Sequence, residues 1–249
     1  MPYVEGAGVA LHYLSRGEGP AVLAVHGMAS DALAWQRALD TFAEAGLRAV
    51  ALDRRGYGAS GAPEPYAATT VQEQAEDVAA LLLALELVPA LLVGDGFGAL
   101  VVLELLVRRP DLARGAVLSD PPLHAFVPAA TAALAKERTL LEQGLRDGGP
   151  AAAVRAWLGD AAVGADDARA ERAVAAHVGF FADYAGQSSW SPSRGELRAI
   201  GVPVAVVTGP RSAPHIVAAA DAIARLVPHA ERVHDGDVVG AALGPRRAW

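Results

Sequence analysis

Val93-Gly94-Asp95-Gly96-Phe97-Gly98-Ala99 is the stretch on which the reading of this chain turns. The apolar run Ala90–Val93 leads into it, and the apolar segment Ala99–Arg109, closed by Pro110, leads out. Four to six apolar residues bounded by turn signals read as a buried strand, and the longer segment reads as a helix. Three glycines at alternate positions between them make a sharp strand–turn–helix corner.

The pattern extends outward from that corner. Val9–Leu14, Ala21–Val25, Leu47–Leu52 and Ala116–Ser119 read as strands, Ala32–Ala45 and Val71–Leu87 as helices, the latter capped by Thr69 or Thr70. Alternating β and α segments predict a mostly parallel sheet with helices on both faces. From Pro121 to Leu197 the sequence is Ala-rich and helical with no strand; the alternation then resumes with Pro203–Thr208, His215–Leu226 and Ala230–His234. The expected organisation is a core of residues 1–120 and 198–249 with a helical cap, residues 121–197, inserted in it.

Composition narrows the chemistry. The chain has 249 residues, 53% hydrophobic and 20% charged, enough for one sizeable core, and a formal net charge of −7 that disfavours nucleic acid and anionic membrane as partners. Cysteine is absent, which excludes disulfides, thiolate metal sites and a cysteine nucleophile. The seven histidines have no metal-ligand spacing, so no metal is expected, and Gly94-x-Gly96-x-Gly98 is not a phosphate loop. Met1–Gly8 has no targeting pattern and no apolar run reaches the ~20 residues of a membrane span, which predicts a cytoplasmic protein.

Four segments together resemble the α/β-hydrolase family. His26-Gly27-Met28 resembles its HG oxyanion loop, and Trp35 stands where such proteins often carry a tryptophan. Asp53-Arg54-Arg55-Gly56-Tyr57-Gly58-Ala59-Ser60 resembles the D-x-R-G-x-G-x-S turn, and Gly94–Gly98 resembles the G-x-S-x-G nucleophile elbow. The resemblance implies the α/β-hydrolase fold over nearly the whole chain, no organic cofactor, and an oxyanion hole from the Met28 and Phe97 backbone N–H groups. It also implies three site positions at which this sequence departs. The nucleophile position is Gly96, neither Ser nor the Asp of epoxide hydrolases; the acid position is Ser212; the histidine position is Asp237. Asp95 is read as structural, its side chain turned away from the elbow.

These departures lead to an expectation of non-covalent chemistry of lyase, cyclase or isomerase type on a small, largely apolar carbonyl compound under the cap. The alternative is a catalytically inactive homologue that binds a ligand or a protein. Candidate acid–base groups are Asp237, Asp120 (which reads equally as a turn residue before Pro121-Pro122) and His124. His177, Phe181 and Tyr184 share one helical face with Phe180 and are candidates for lining the pocket, although such a stripe also reads as packing. The short segment Val238–Leu243 leaves a sheet edge on which a second copy of the chain could pack as a homodimer.

Overall fold

A computed structural model describes residues 2–159 and 167–244. Eight strands form one sheet: β1 (Tyr3–Glu5), β2 (Ala10–Arg16), β3 (Ala21–Val25), β4 (Arg48–Leu52), β5 (Ala90–Asp95), β6 (Ala113–Ser119), β7 (Val204–Val207) and β8 (Ala230–Val233), in the order β1-β2-β4-β3-β5-β6-β7-β8. β1 and β2 pair antiparallel, and β2 pairs antiparallel with β4; every pairing from β4 through β8 is parallel. This is the α/β-hydrolase fold expected from the sequence, with the N-terminal hairpin β1–β2 longer than the sequence suggests.

The helices cover both faces. α1 (Gln36–Glu44) packs Leu39 and Phe42 beneath Val22, Ala24, Ala49 and Ala51, where Ala241 and Ala242 of the last helix join them. The opposite face is covered by α2 (Val71–Ala84) and α3 (Phe97–Arg108). The Thr70 side chain accepts a hydrogen bond from the Glu73 N–H at 3.0 Å and so caps α2. α3 is buried on nearly every side, from Phe97 to Leu106, which explains its continuous apolar sequence. One polar residue in it, Glu104, is satisfied by the Trp190 indole N–H at 2.9 Å and by Arg108.

Between β6 and β7 the described residues contain helices only: α4 (Ala130–Leu158), bent at Gly148–Gly149, α5 (Asp167–Ala175), α6 (His177–Ser189) and the short α7 (Arg194–Arg198). α4, α5 and α6 enclose a small core of their own around Phe180, with Leu141, Val154 and Val174. α8 (Pro214–Leu226) and α9 (Val238–Leu243) complete the chain's described part. Among the described residues no helix is long and apolar enough to cross a membrane.

Candidate functional site

The sheet order reverses direction around β3 and β5, and in open parallel sheets the crevice at the carboxyl ends of such strands is where ligands bind. β5 ends at Asp95 and α3 begins at Phe97, so Gly96 alone makes the turn, at φ 51 and ψ −120. The flanking glycines are required by close approach. A Cβ at Gly94 would stand 2.6 Å from Ala99 Cα, and one at Gly98 only 2.3 Å from the Val25 carbonyl. Gly96 differs: a Cβ there would meet nothing nearer than Gly27 Cα at 3.7 Å, so the space above the elbow is open.

Parallel register pairs Asp95 with Ser119, which sets Asp120 at the strand tip beside Gly96. Asp120 has φ 44, left-handed for a residue with a side chain, a conformation that costs about 1–2 kcal/mol. It is held there by its N–H donating to the Val207 carbonyl at 3.0 Å and by Ser212 Oγ donating to Oδ1 at 2.5 Å. Ser212 in turn accepts from the Gly209 N–H at 2.8 Å. Ser212 therefore bonds a carboxylate at the strand tip beside the elbow, a link between the β6 and β7 loops that sequence spacing does not reveal.

A cavity of about 340 Å³ lies over this point. Asp95, Gly96, Phe97 and Asp120 form part of its wall, with Gly27 and Met28 of the loop after β3. His124 enters from the turn after β6, His215 from the first turn of α8, Glu137 and Trp157 from α4, and Gln187 from α6. Phe97 opens α3, so its N–H has no acceptor within the helix and lies at the helix's positive end. Asp95 borders the cavity too, contrary to the expectation that it faces away. Burial pushes its carboxyl upward, the Ser119 hydrogen bond opposes this, and the Asp120 charge adds to it. The His124 and His215 rings lie 5.7 Å apart. Burial first, and His215 second, lower His124 to about 4, so both are neutral imidazoles at pH 7; burial lowers His215 as well. Burial raises Glu137, against a hydrogen bond from Trp157.

Behind the cavity the cap is fastened to the core by a buried cluster. Arg54, 1% exposed, donates to Asp183 Oδ2 at 2.7 Å, to Gln74 Oε1 at 2.6 Å, to the His26 carbonyl at 2.8 Å and to the Gly27 carbonyl at 2.9 Å. Asp183, with no exposed surface, also accepts from Tyr57 Oη at 2.7 Å and from Gln74 Nε2 at 2.7 Å. Burial alone would lower Arg54; the Asp183 carboxylate outweighs it, and the net shift is upward. His26 is kept neutral by burial and by Arg54, its Nδ1 donating to the Gly27 carbonyl and its Nε2 accepting from the Arg54 N–H. One cluster thus holds the loop after β3 and helix α6 together.

The remaining expected site residues fall elsewhere. Asp237 is exposed and caps α9, accepting from the Gly240 N–H at 2.8 Å; a carboxylate at a helix start is drawn to the free N–H groups there. Phe181 and Tyr184 pack into the cap's own core, and His177 Nδ1 bonds the Val174 carbonyl at 3.1 Å; none of the three lines the cavity over Gly96. The face of α6 turned to the core is instead Gly179, Asp183 and Gly186. A Cβ at Gly179 would come within 2.6 Å of the Gly56 carbonyl, and one at Gly186 within 2.6 Å of the Thr69 carbonyl. The i, i+4, i+7 spacing of these small residues around an acid was the available signal. Among the described residues no group of three or more His, Asp or Glu is placed to hold a metal ion. A second cleft, about 450 Å³, runs past His12, Asp53 and Arg172, but the Asp53 oxygens are committed to the Ala32 and Ala59 N–H groups and His12.

Comparison with known proteins decides the family. The model of the family described as serine aminopeptidase, S33, matches residues 19–156, more than half of the chain. This chain belongs to that S33 family. Its sequence is 40% identical over 104 residues to an epoxide hydrolase of Caballeronia sordidicola, covering 42% of this chain and 32% of the relative. It is 30% identical over 115 residues to bifunctional epoxide hydrolase 2 of Sus scrofa, covering 46% and 21%. The matches thus span about a third or less of those curated relatives. Among solved structures it is similar to the enol-lactonase of Burkholderia xenovorans LB400, with a TM-score of 0.75 at 22% identity over 94% of this chain and 90% of the other. An epoxide hydrolase of Vigna radiata gives a TM-score of 0.72 at 22% identity, over 97% and 93%. Those two likenesses are of fold.

These findings correct the functional expectation drawn from the sequence. A lyase, cyclase or isomerase, and equally an inactive binding homologue, is overturned by relatives named for hydrolysis in both comparisons. A missing side chain at position 96 does not by itself remove the reaction class. Hydrolysis requires an attacking oxygen, and water can supply it.

Proposed function

We propose that this protein is a hydrolase of small esters or lactones in which a water molecule over Gly96 is the nucleophile and Asp120 is its general base, in place of a Ser-His-Asp triad. The observation that carries this reading is the open place above Gly96 with the strained, Ser212-bonded Asp120 carboxylate beside it. Asp120 takes a proton as the water oxygen attacks the acyl carbon. The Met28 and Phe97 N–H groups receive the charge that develops on the carbonyl oxygen. Collapse of the tetrahedral species breaks the acyl C–O bond, and the alkoxide leaves with the proton returned by Asp120, giving acid and alcohol.

A panel of short acyl p-nitrophenyl esters and five- and six-membered lactones tests the reading. Turnover by the native protein, a loss of about 100-fold or more in kcat for Asp120→Asn, and no labelling by a fluorophosphonate are expected. Stoichiometric fluorophosphonate labelling of a serine, or full activity in Asp120→Asn, would refute it.

A further inference from the structure

The cavity over Gly96 contains more polar chemistry than the hydrolytic step uses. Among the described residues, His124 Nε2, Glu137 Oε1 and Gln187 Oε1 are shielded from solvent and have no hydrogen-bond partner. All three residues line this one cavity. Gln187 is only 8% exposed, and its amide cannot turn to solvent for relief. Buried polar atoms are almost always paired, so three orphans around one space mark a place where a ligand's polar group belongs.

Their roles specify that group. Gln187 Nε2 stands 3.5 Å from His124 Nδ1, and an amide N–H can only donate, so Nδ1 accepts and the imidazole proton resides on Nε2. The cavity then presents one donor, His124 Nε2–H, and two acceptors, Glu137 Oε1 and Gln187 Oε1. A hydroxyl both donates and accepts, and satisfies this set. An ammonium has no acceptor to offer His124. A carboxylate has no donor for Gln187 and would face Glu137, Asp95 and Asp120 in a cavity whose described lining holds no Lys or Arg.

We propose that the His124–Glu137–Gln187 cluster is a hydroxyl-recognition subsite, and that the substrate is a hydroxy ester or hydroxy lactone, held by this hydroxyl while its carbonyl lies over Gly96. The substrate class rests on the hydrolase reading above; the subsite does not, since it binds whether or not turnover follows. Both groups fit in the cavity's ~340 Å³, which suits a small molecule. The cap supplies Glu137 and Gln187 and the core supplies the elbow, so the substrate bridges the two.

The test uses three matched probes with the full chain: γ-butyrolactone, α-hydroxy-γ-butyrolactone and α-amino-γ-butyrolactone. Binding to the Asp120→Asn protein is measured by saturation-transfer NMR, and turnover by the native protein is followed separately. The hydroxy lactone is expected to bind at least about tenfold tighter than the unsubstituted one, because it fills polar groups otherwise left unpaired. Gln187→Leu and Glu137→Met are each expected to erase that preference, so that the hydroxy and unsubstituted lactones bind alike. Equal or absent binding of the hydroxy and unsubstituted lactones, or tighter binding of the amino lactone, overturns the subsite. So does a hydroxyl preference that survives both substitutions. A preference that holds in binding while the native protein turns over none of the three supports the subsite and counts against the hydrolase reading alone.

Discussion

Asp183→Ala tests how the cap is held. The native Asp183 carboxylate has no exposed surface and meets an Arg54 guanidinium that is 1% exposed, while also accepting from Tyr57 and Gln74. Truncation leaves a buried cation without its counter-charge and removes the acceptor of two buried donors. Breaking a buried ion pair by deleting one partner costs about 3–5 kcal/mol; the lost Tyr57 and Gln74 bonds belong to the same network and do not add in full. At roughly 2–4 °C per kcal/mol for a chain of this size, the melting temperature should fall by about 6–20 °C. Urea unfolding followed by circular dichroism gives the free energy, and calorimetry gives Tm. Arg54 also binds the His26 and Gly27 carbonyls, so the variant should lose kcat on any ester that the native protein turns over. The exposed pair Arg138–Glu142 supplies the control, and Arg138→Ala should leave Tm unchanged. An Asp183→Ala protein within 1 kcal/mol of native would refute the account of Arg54 as a cation that depends on this carboxylate.

Three further outcomes follow from the geometry. Gly96→Ala fits sterically, but it places a side chain at φ 51 and a methyl group where the water would sit; about 1–2 kcal/mol of stability and most of kcat should be lost, read by urea unfolding and ester turnover. Gly179→Ala drives a methyl carbon against the Gly56 carbonyl; the cap should loosen, with faster amide exchange in α6 but not in α2, and unchanged exchange would count against the close approach. His124 titrates in the folded protein near 4, below the ~6.5 of an unfolded histidine. Between those values the unfolded chain binds a proton that the folded chain does not, so stability falls as pH falls from 6.5 toward 4. NMR titration of the His124 ring should place its midpoint near 4, and Tm of His124→Gln should decline less between pH 7 and 5 than that of the native protein.

Much of the scaffold was legible because it depends on local patterns. The apolar runs of β3, β4 and β5, the Thr70 cap and the glycines at 94 and 98 each carry their reason in neighbouring residues. The site was legible only in part. Gly96, Met28, Phe97, Asp120 and His124 meet at one cavity, but Glu137, Trp157, Gln187 and His215 reach it from helices far along the chain, with no spacing to announce them. Asp237 was placed by its offset after β8, yet the helix that begins at the next residue claims its carboxylate through the Gly240 N–H. The aromatic face of α6 drew attention because it is apolar; the cap encloses a small core of its own, and that core takes Phe180, Phe181 and Tyr184.

By itself the sequence determined the α/β architecture, the helical segment between β6 and β7, and the absence of a side chain at the elbow. Periodicity, glycine geometry and residue identity are properties of short stretches. Tertiary structure alone decided that Ser212 bonds Asp120, that Asp183 of α6 pairs with Arg54, and that three residues with orphaned polar atoms line one cavity. Those facts concern pairs 92 and 129 residues apart, and groups brought together only when burial removes water and forces every polar atom to find a partner.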